Sequence, residues 1–187
     1  MKENVVHHRV ISRRTKPLVV CALAILAGGV ATASLAQSTA TVNVTGNIQG
    51  TCNVTGGSTT TINLGNVSVS AFSGAGTTSP ISAPQNIVLT CTSSPGITMT
   101  MTGTQAPSGP NTTLALTGTT GIATGVGVQI LNNGTGTPTT PLVLGASNTI
   151  PTGATVTIPV AARYYAINAT PGAGTANSTA TLTFRFN

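Results

Sequence analysis

Residues 37–187 hold few side chains able to do chemistry: Cys52, Cys91, Arg163, Arg185, Tyr164 and Tyr165, among many Ser and Thr. The single acid, Glu3, both histidines, His7 and His8, and both lysines, Lys2 and Lys16, all lie near the N-terminus. Without His, Asp, Glu or Lys, residues 37–187 have no general acid or base, and nothing to activate a hydroxyl nucleophile. They offer a metal ion neither imidazole nor carboxylate. The reading is a protein that is not an enzyme and uses no cofactor. Nucleic acid is excluded as a partner as well, because two arginines cannot neutralise a phosphate backbone. What remains is the joining of two thiols. Cys52 and Cys91 form an even pair, which in an exported chain reads as one disulfide. Closing a loop of about 40 residues contributes roughly 4 kcal/mol on the chain-entropy account.

Export is written in the first residues. Lys2, Arg9, Arg13, Arg14 and Lys16 form a basic region, residues 18–30 a short apolar run, and Ser34-Leu35-Ala36 a small-residue cleavage site. Residues 1–36 are read as a signal peptide cut after Ala36, with Ala31-Thr32-Ala33 as the second possible site. A retained membrane anchor is the competing reading, but the run falls short of the ~20 apolar residues a span requires. Arg13-Arg14 suggest a twin-arginine signal, yet Lys16-Pro17 follow where apolar residues are wanted. Cys21 leaves with this leader, and so does most of the formal charge of +6. What is left is long enough for one domain with a real core.

The elements that must position these residues are strands. Thr, Val, Ile and Ala abound, Gly and Pro punctuate the chain, and no stretch keeps a helical period. In residues 179–187, Ala180, Leu182, Phe184 and Phe186 alternate with Thr and Arg, the period of a half-buried strand. No further strand follows Asn187, so its neighbour is expected from earlier in the chain or from another molecule. Residues 40–50 show the same period, with Ala40, Val42, Val44, Gly46 and Ile48 on one face. Between these ends the pattern predicts strands over 51–54, 85–92, 97–103, 113–116, 125–131 and 155–166, and an extended piece over 60–69. Asn132-Asn133-Gly134 is a strong hairpin signal. Pro159 predicts an edge or a bulge in the longest run. Residues 72–84 read as a Ser/Gly/Pro loop. Gly125-Val126-Gly127 shares two glycines with a dinucleotide-binding fingerprint, but no third Gly and no βαβ pattern accompany it. The several N-x-S/T sequons follow from composition, and no glycan is assigned.

Four stretches together resemble one family. They are Gly125 to Leu131 (G-V-G-V-Q-I-L), Ile158 to Ala166 (I-P-V-A-A-R-Y-Y-A), the Thr170-Pro171-Gly172 turn with the C-terminal A-N-S-T-A-T-L-T-F-R-F, and the Cys52/Cys91 pair. This combination is similar to the type 1 fimbrial subunits of the chaperone–usher pathway. The resemblance implies an all-β, incomplete immunoglobulin-like sandwich lacking its last strand and completed by donor-strand exchange, a form of β-strand addition. It implies a donor extension over 37–49, with Ala40, Val42, Val44, Gly46 and Ile48 facing a neighbour's groove, and a pilin domain over 50–187. Ala180, Leu182, Phe184 and Phe186 would border the acceptor groove. Implied partners are identical or related pilin subunits, a periplasmic chaperone and an outer-membrane usher, with export through the periplasm to a cell-surface fimbrium that supports adhesion. The penultimate position, commonly Tyr in that family, is Phe186 here.

Physics apart from the resemblance agrees. An apolar edge strand without charged gatekeepers is an aggregation hazard unless something pairs with it. Residues 37–49 can extend roughly 40 Å, at ~3.3 Å per residue, enough to line a strand-length groove. Burying Val42, Val44 and Ile48 there contributes on the order of 5–8 kcal/mol. Two further readings stay open: a minor adaptor or tip-proximal fimbrial subunit, and a secreted immunoglobulin-like binding module whose own N-terminal stretch folds back to complete it.

Overall fold

A computed structural model describes residues 42–46, 48 and 50–187. The chain divides into two units, Met1–Val44 and Thr45–Asn187. In the first, residues 42–44 are exposed and lie in no regular element; the segment read as a leader, its cleavage site and Ala40 lie outside the described residues.

The second unit is built from eight strands: β1 (Cys52–Gly56), β2 (Gln85–Cys91), β3 (Ile97–Thr102), β4 (Val126–Asn132), β5 (Thr140–Pro141), β6 (Ser147–Ile150), β7 (Thr155–Ala166) and β8 (Thr181–Phe186). They form two antiparallel sheets, one ordered β1-β2-β7-β4-β5 and the other β6-β3-β8. The period-two pattern sets which side chains meet. Ile87, Leu89 and Cys91 of β2, Ile97, Met99 and Met101 of β3, and Val156, Ile158 and Val160 of β7 are all buried in one cluster. Each fully buried side chain of this size contributes about 1.5–3 kcal/mol relative to exposure. Thr98 and Thr100, between Ile97, Met99 and Met101, fall on the opposite face, in register with Thr149 and Ser147 of β6 and with Arg185 and Thr183 of β8. Leu114, Val128 and Ala162 form a second, smaller cluster.

Cys52 stands directly opposite Cys91 in the β1–β2 ladder and is bonded to it, with a Cα–Cα distance of 3.9 Å. The bond fastens an edge strand of the larger sheet to its neighbour.

Two expectations need correction and two are refined. Pro159 predicts an edge or a bulge, and it stands on a local edge of β7, a strand otherwise central in its sheet. The strand is twelve residues long and divides its edges: Thr155 to Val160 pair with β2, whereas Ala161 to Ala166 pair with β4. Pro159 sits before the β4 ladder begins, so its missing N–H costs that ladder nothing. The Asn132-Asn133-Gly134 signal does mark a hairpin, from β4 to the antiparallel β5, but residues 133–139 close it with a loop longer than two residues. Residues 113–116 form no strand, although Leu114 bridges both Gln105 and Val128. The stretch read as a loop at 72–84 supplies a missing edge. Beyond the start of β2, the Ser79 and Tyr164 backbones bond, the Ser82 N–H bonds to Ala162, and Gly76 and Thr77 bond to Ala166. The Ser79 and Ser82 hydroxyls each accept a β7 N–H at 3.0 Å, from Tyr164 and Ala162. Side-chain oxygens thus stand in where an irregular, proline-bearing chain cannot run a regular ladder.

Candidate functional site

β8 is hydrogen-bonded to β3 and, among the described residues, to no other strand. Its second edge borders an open groove of about 810 Å³. Ala180, Leu182 and Phe184 form that wall. The opposite wall is residues 60–65, where Ile62 and Leu64 are half-buried and Thr61 and Asn63 exposed. This stretch alternates like a strand but belongs to no ladder; its local ties are the Thr60 hydroxyl on the Gly57 carbonyl and the Gly65 N–H on Asn63 Oδ1. The floor is laid by the inward side chains of the larger sheet, with Ile87 from β2, Val128 and Ile130 from β4, and Val160, Ala162 and Tyr164 from β7.

The groove therefore has the form of a strand slot. It is lined by strand β8 and by residues 60–65, neither of which has a ladder partner on the groove side. Apolar side chains line it at alternate positions, as a β-strand laid between the walls requires. Ile62, Ile130, Leu182 and Phe184 pack against the main core while remaining partly exposed. The lining carries no charged residue. Its one titratable group, the Tyr164 hydroxyl, donates to the Ala176 carbonyl at 3.1 Å, and burial pushes its pKa up. Such a surface suits an uncharged extended segment; it has no acid–base pair with which to work on a substrate. Phe186 packs on the core below the groove without being part of its lining. A second cavity, of about 330 Å³, adjoins the end of the groove and shares Tyr164 and Ala176 with it.

The described residues of the segment read as the donor are solvent-facing. Val42 and Val44 are exposed, Ile48 is 99% exposed, and no atom lies within 4 Å of where a Gly46 side chain would begin. Of the four residues read as bordering a groove, Ala180, Leu182 and Phe184 line this one and Phe186 does not; residues 60–65 were read only as part of an extended piece. The signal was there in Thr61-Ile62-Asn63-Leu64, four residues of clean alternation inside a longer polar stretch. The floor residues were read as core, which they also are.

The sequence model of the family described as Fimbrial protein matches residues 26–187. The chain belongs to this fimbrial protein family. Among solved structures, an antigen and type I fimbria protein of Burkholderia pseudomallei is 28% identical, with a TM-score of 0.54. That match covers 73% of this chain and 99% of the other. The CupB6 tip adhesin of Pseudomonas aeruginosa is 26% identical with a TM-score of 0.52, over 65% of this chain and 34% of the adhesin. A subunit of a chaperone–usher pilus shares the fold at 19% identity and a TM-score of 0.52, over 83% of this chain and 99% of that one. No curated protein matches the sequence. This fimbrial subunit is thus a structural component of a pilus, assembling with other pilin subunits in a surface fimbria. Fimbrial proteins are structural and generally non-enzymatic, in keeping with the chemistry of the groove.

Proposed function

We propose that this fimbrial subunit polymerises by donor-strand complementation, lending residues 37–49 to a neighbour and receiving the same segment from another. Ala40, Val42, Val44, Gly46 and Ile48 would enter the acceptor groove beside Ala180, Leu182 and Phe184, with Phe186 supporting the wall from the core side. The observation that carries the reading is the slot itself, uncharged and lined by β8 and by residues 60–65, neither of which has a ladder partner on that side. Inserting one strand would let both walls pair at once and would remove the half-exposed apolar lining from water. Until then the groove needs a cover, and the reading assigns that to a periplasmic chaperone, with an outer-membrane usher exchanging it for the next subunit. Residues 1–36 would direct export to the periplasm and be removed there, so that the filament ends at the cell surface and supports adhesion.

An adaptor or tip-proximal place in the filament is the second reading, favoured by the similarity to a tip adhesin. The self-complemented module is disfavoured, because Ile48 is solvent-facing instead of being seated in its own domain's groove. The test uses mature subunit freed from any chaperone and a peptide of residues 37–49. The expected result is an unstable or aggregating subunit whose melting temperature rises sharply when the peptide is added. A monomer that folds reversibly and ignores the peptide overturns the proposal.

A further inference from the structure

Asn133-Gly134 is the one Asn-Gly pair in the sequence. In the connection from β4 to β5 Asn133 is exposed, whereas its neighbour Asn132 is buried at 4% exposure. The Asn132 side chain grips the turn. Its Oδ1 accepts the Gly134 N–H at 2.9 Å, and its Nδ2 donates to the Gly134 carbonyl and to the Pro159 carbonyl, each at 2.9 Å. The Asn133 carbonyl accepts from the Gly136 N–H at 2.8 Å.

We propose that Asn133 is a spontaneous deamidation site of this subunit and that Asn132 sets its pace. The reaction needs no partner protein. The Gly134 backbone nitrogen loses its proton to solvent and attacks Cγ of Asn133. The Cγ–Nδ2 bond breaks, the nitrogen leaves as ammonia, and a five-membered succinimide forms. Water then opens the ring at either carbonyl, giving aspartate or isoaspartate; the balance is one water consumed and one ammonia released, with no change of oxidation state. Glycine favours the step because no side chain shields its nitrogen. The same nitrogen, however, is the donor that Asn132 Oδ1 holds, so the attack must wait until that bond opens. Exposure of Asn133 supplies water and room for the leaving group, and the buried Asn132 supplies the brake.

The product matters more here than on most surfaces. Residues 37–187 contain no Asp or Glu, so deamidation installs their first side-chain carboxylate. Isoaspartate also lengthens the main-chain path in the connection that follows β4, whose Val128 and Ile130 help to floor the groove.

The experiment follows Asn133 by peptide mass spectrometry, with isoaspartate methyltransferase labelling as an independent readout. Assembled filaments are incubated at mildly alkaline pH beside the same chain reduced and unfolded in guanidinium. Asn133 is expected to convert faster than any other Asn in the unfolded chain, and about tenfold more slowly in filaments, one held hydrogen bond being worth up to about that factor. Asn132→Ala, in filaments with an intact Cys52–Cys91 bond, is expected to close most of that gap. Equal folded and unfolded rates in the wild type overturn the role of the clamp without any variant. A folded Asn132→Ala subunit with an unchanged rate does the same. An unfolded chain in which Asn133 persists while other asparagines convert overturns the site itself.

Discussion

At the scale of single residues, Gly46 is the position on which the donor assignment can be tested most sharply. It shares one face of an alternating stretch with Val44 and Ile48, the face proposed to enter the neighbour's groove, where a β-former would otherwise strengthen the strand. Glycine is useful where another surface approaches closely. In the free subunit its surroundings are open, with nothing within 4 Å of an added Cβ. Replacing it with leucine should therefore leave the subunit's own fold and any chaperone complex intact. Insertion into a fitted groove should suffer, because overpacking costs typically ~1–3 kcal/mol. The expected outcome for Gly46→Leu is a strong loss of surface filaments with periplasmic subunit retained, measured by shearing and immunoblotting. Asn47→Leu, of opposite phase, should assemble nearly as wild type. If Asn47→Leu blocks assembly and Gly46→Leu does not, the register is wrong by one residue. Gly127 makes the contrasting case inside the domain. A Cβ there would collide with the Thr113 side chain and the Leu114 carbonyl, so its glycine is required by the fold instead of by a partner.

At the scale of elements, β7 is the strand on which the larger sheet turns. It serves β2 with its first half and β4 with its second, and the edge left open beyond β2 is closed by residues 76–82. Ser79 is buried at 4% exposure and its hydroxyl both accepts from the Tyr164 N–H and donates to the Pro80 carbonyl. Ser79→Ala removes the acceptor and leaves a buried backbone donor without a partner, which costs about 1–3 kcal/mol. The expected result is a lower urea midpoint for the peptide-complemented subunit. Ser82→Ala should cost less, because Ser82 lies nearer solvent. Equal and negligible effects would mean that water replaces both hydroxyls and that the segment is not a true edge. Tyr164 belongs to the same half of β7 and joins this closure to the groove, since its ring lines the floor while its hydroxyl holds Ala176 on the approach to β8.

At the scale of the whole molecule, the governing fact is the near absence of charge. Residues 37–187 hold no Asp, Glu, His or Lys side chain, so between mildly acidic and mildly alkaline pH almost nothing can titrate. Stability and subunit exchange should accordingly be flat across that range and nearly indifferent to salt. The departure comes at the alkaline end. Burial raises the Tyr164 pKa above its ordinary value of 10.0 in the folded state. The folded protein then holds that proton more tightly than the unfolded chain. This contribution is fully present below the unfolded value and is lost as pH rises through the folded one. Thermal melts of the peptide-complemented subunit should thus hold level and fall only above about pH 10. Tyr164→Phe should soften that fall while lowering the plateau by the lost bond to Ala176. A steep decline at acid pH would contradict the account. A surface this neutral also lacks like-charge repulsion between filaments, which favours their lateral association.

The amino-acid sequence by itself determined the class of fold and the scarcity of ionisable side chains in residues 37–187. Period-two alternation is a local property, and β2, β3, β7 and β8 lie close to where Gln85, Ile97, Thr155 and the terminal alternation predict them. The absence of Asp, Glu, His and Lys from residues 37–187 is likewise a matter of composition alone. Only the tertiary structure decided which segment faces β8 across the slot, because residues 60–65 carry a short alternation that any edge could share. It decided the place of Pro159 as well, since one strand can be central in its sheet and still meet different neighbours along its length. It also made the loop at 72–84 an edge, and turned the hairpin signal into a longer connection clamped by Asn132. In each of these cases the deciding term is a hydrogen bond or contact between residues far apart in sequence. Local patterning can show that a backbone group needs a partner; it cannot say which distant group the fold will supply.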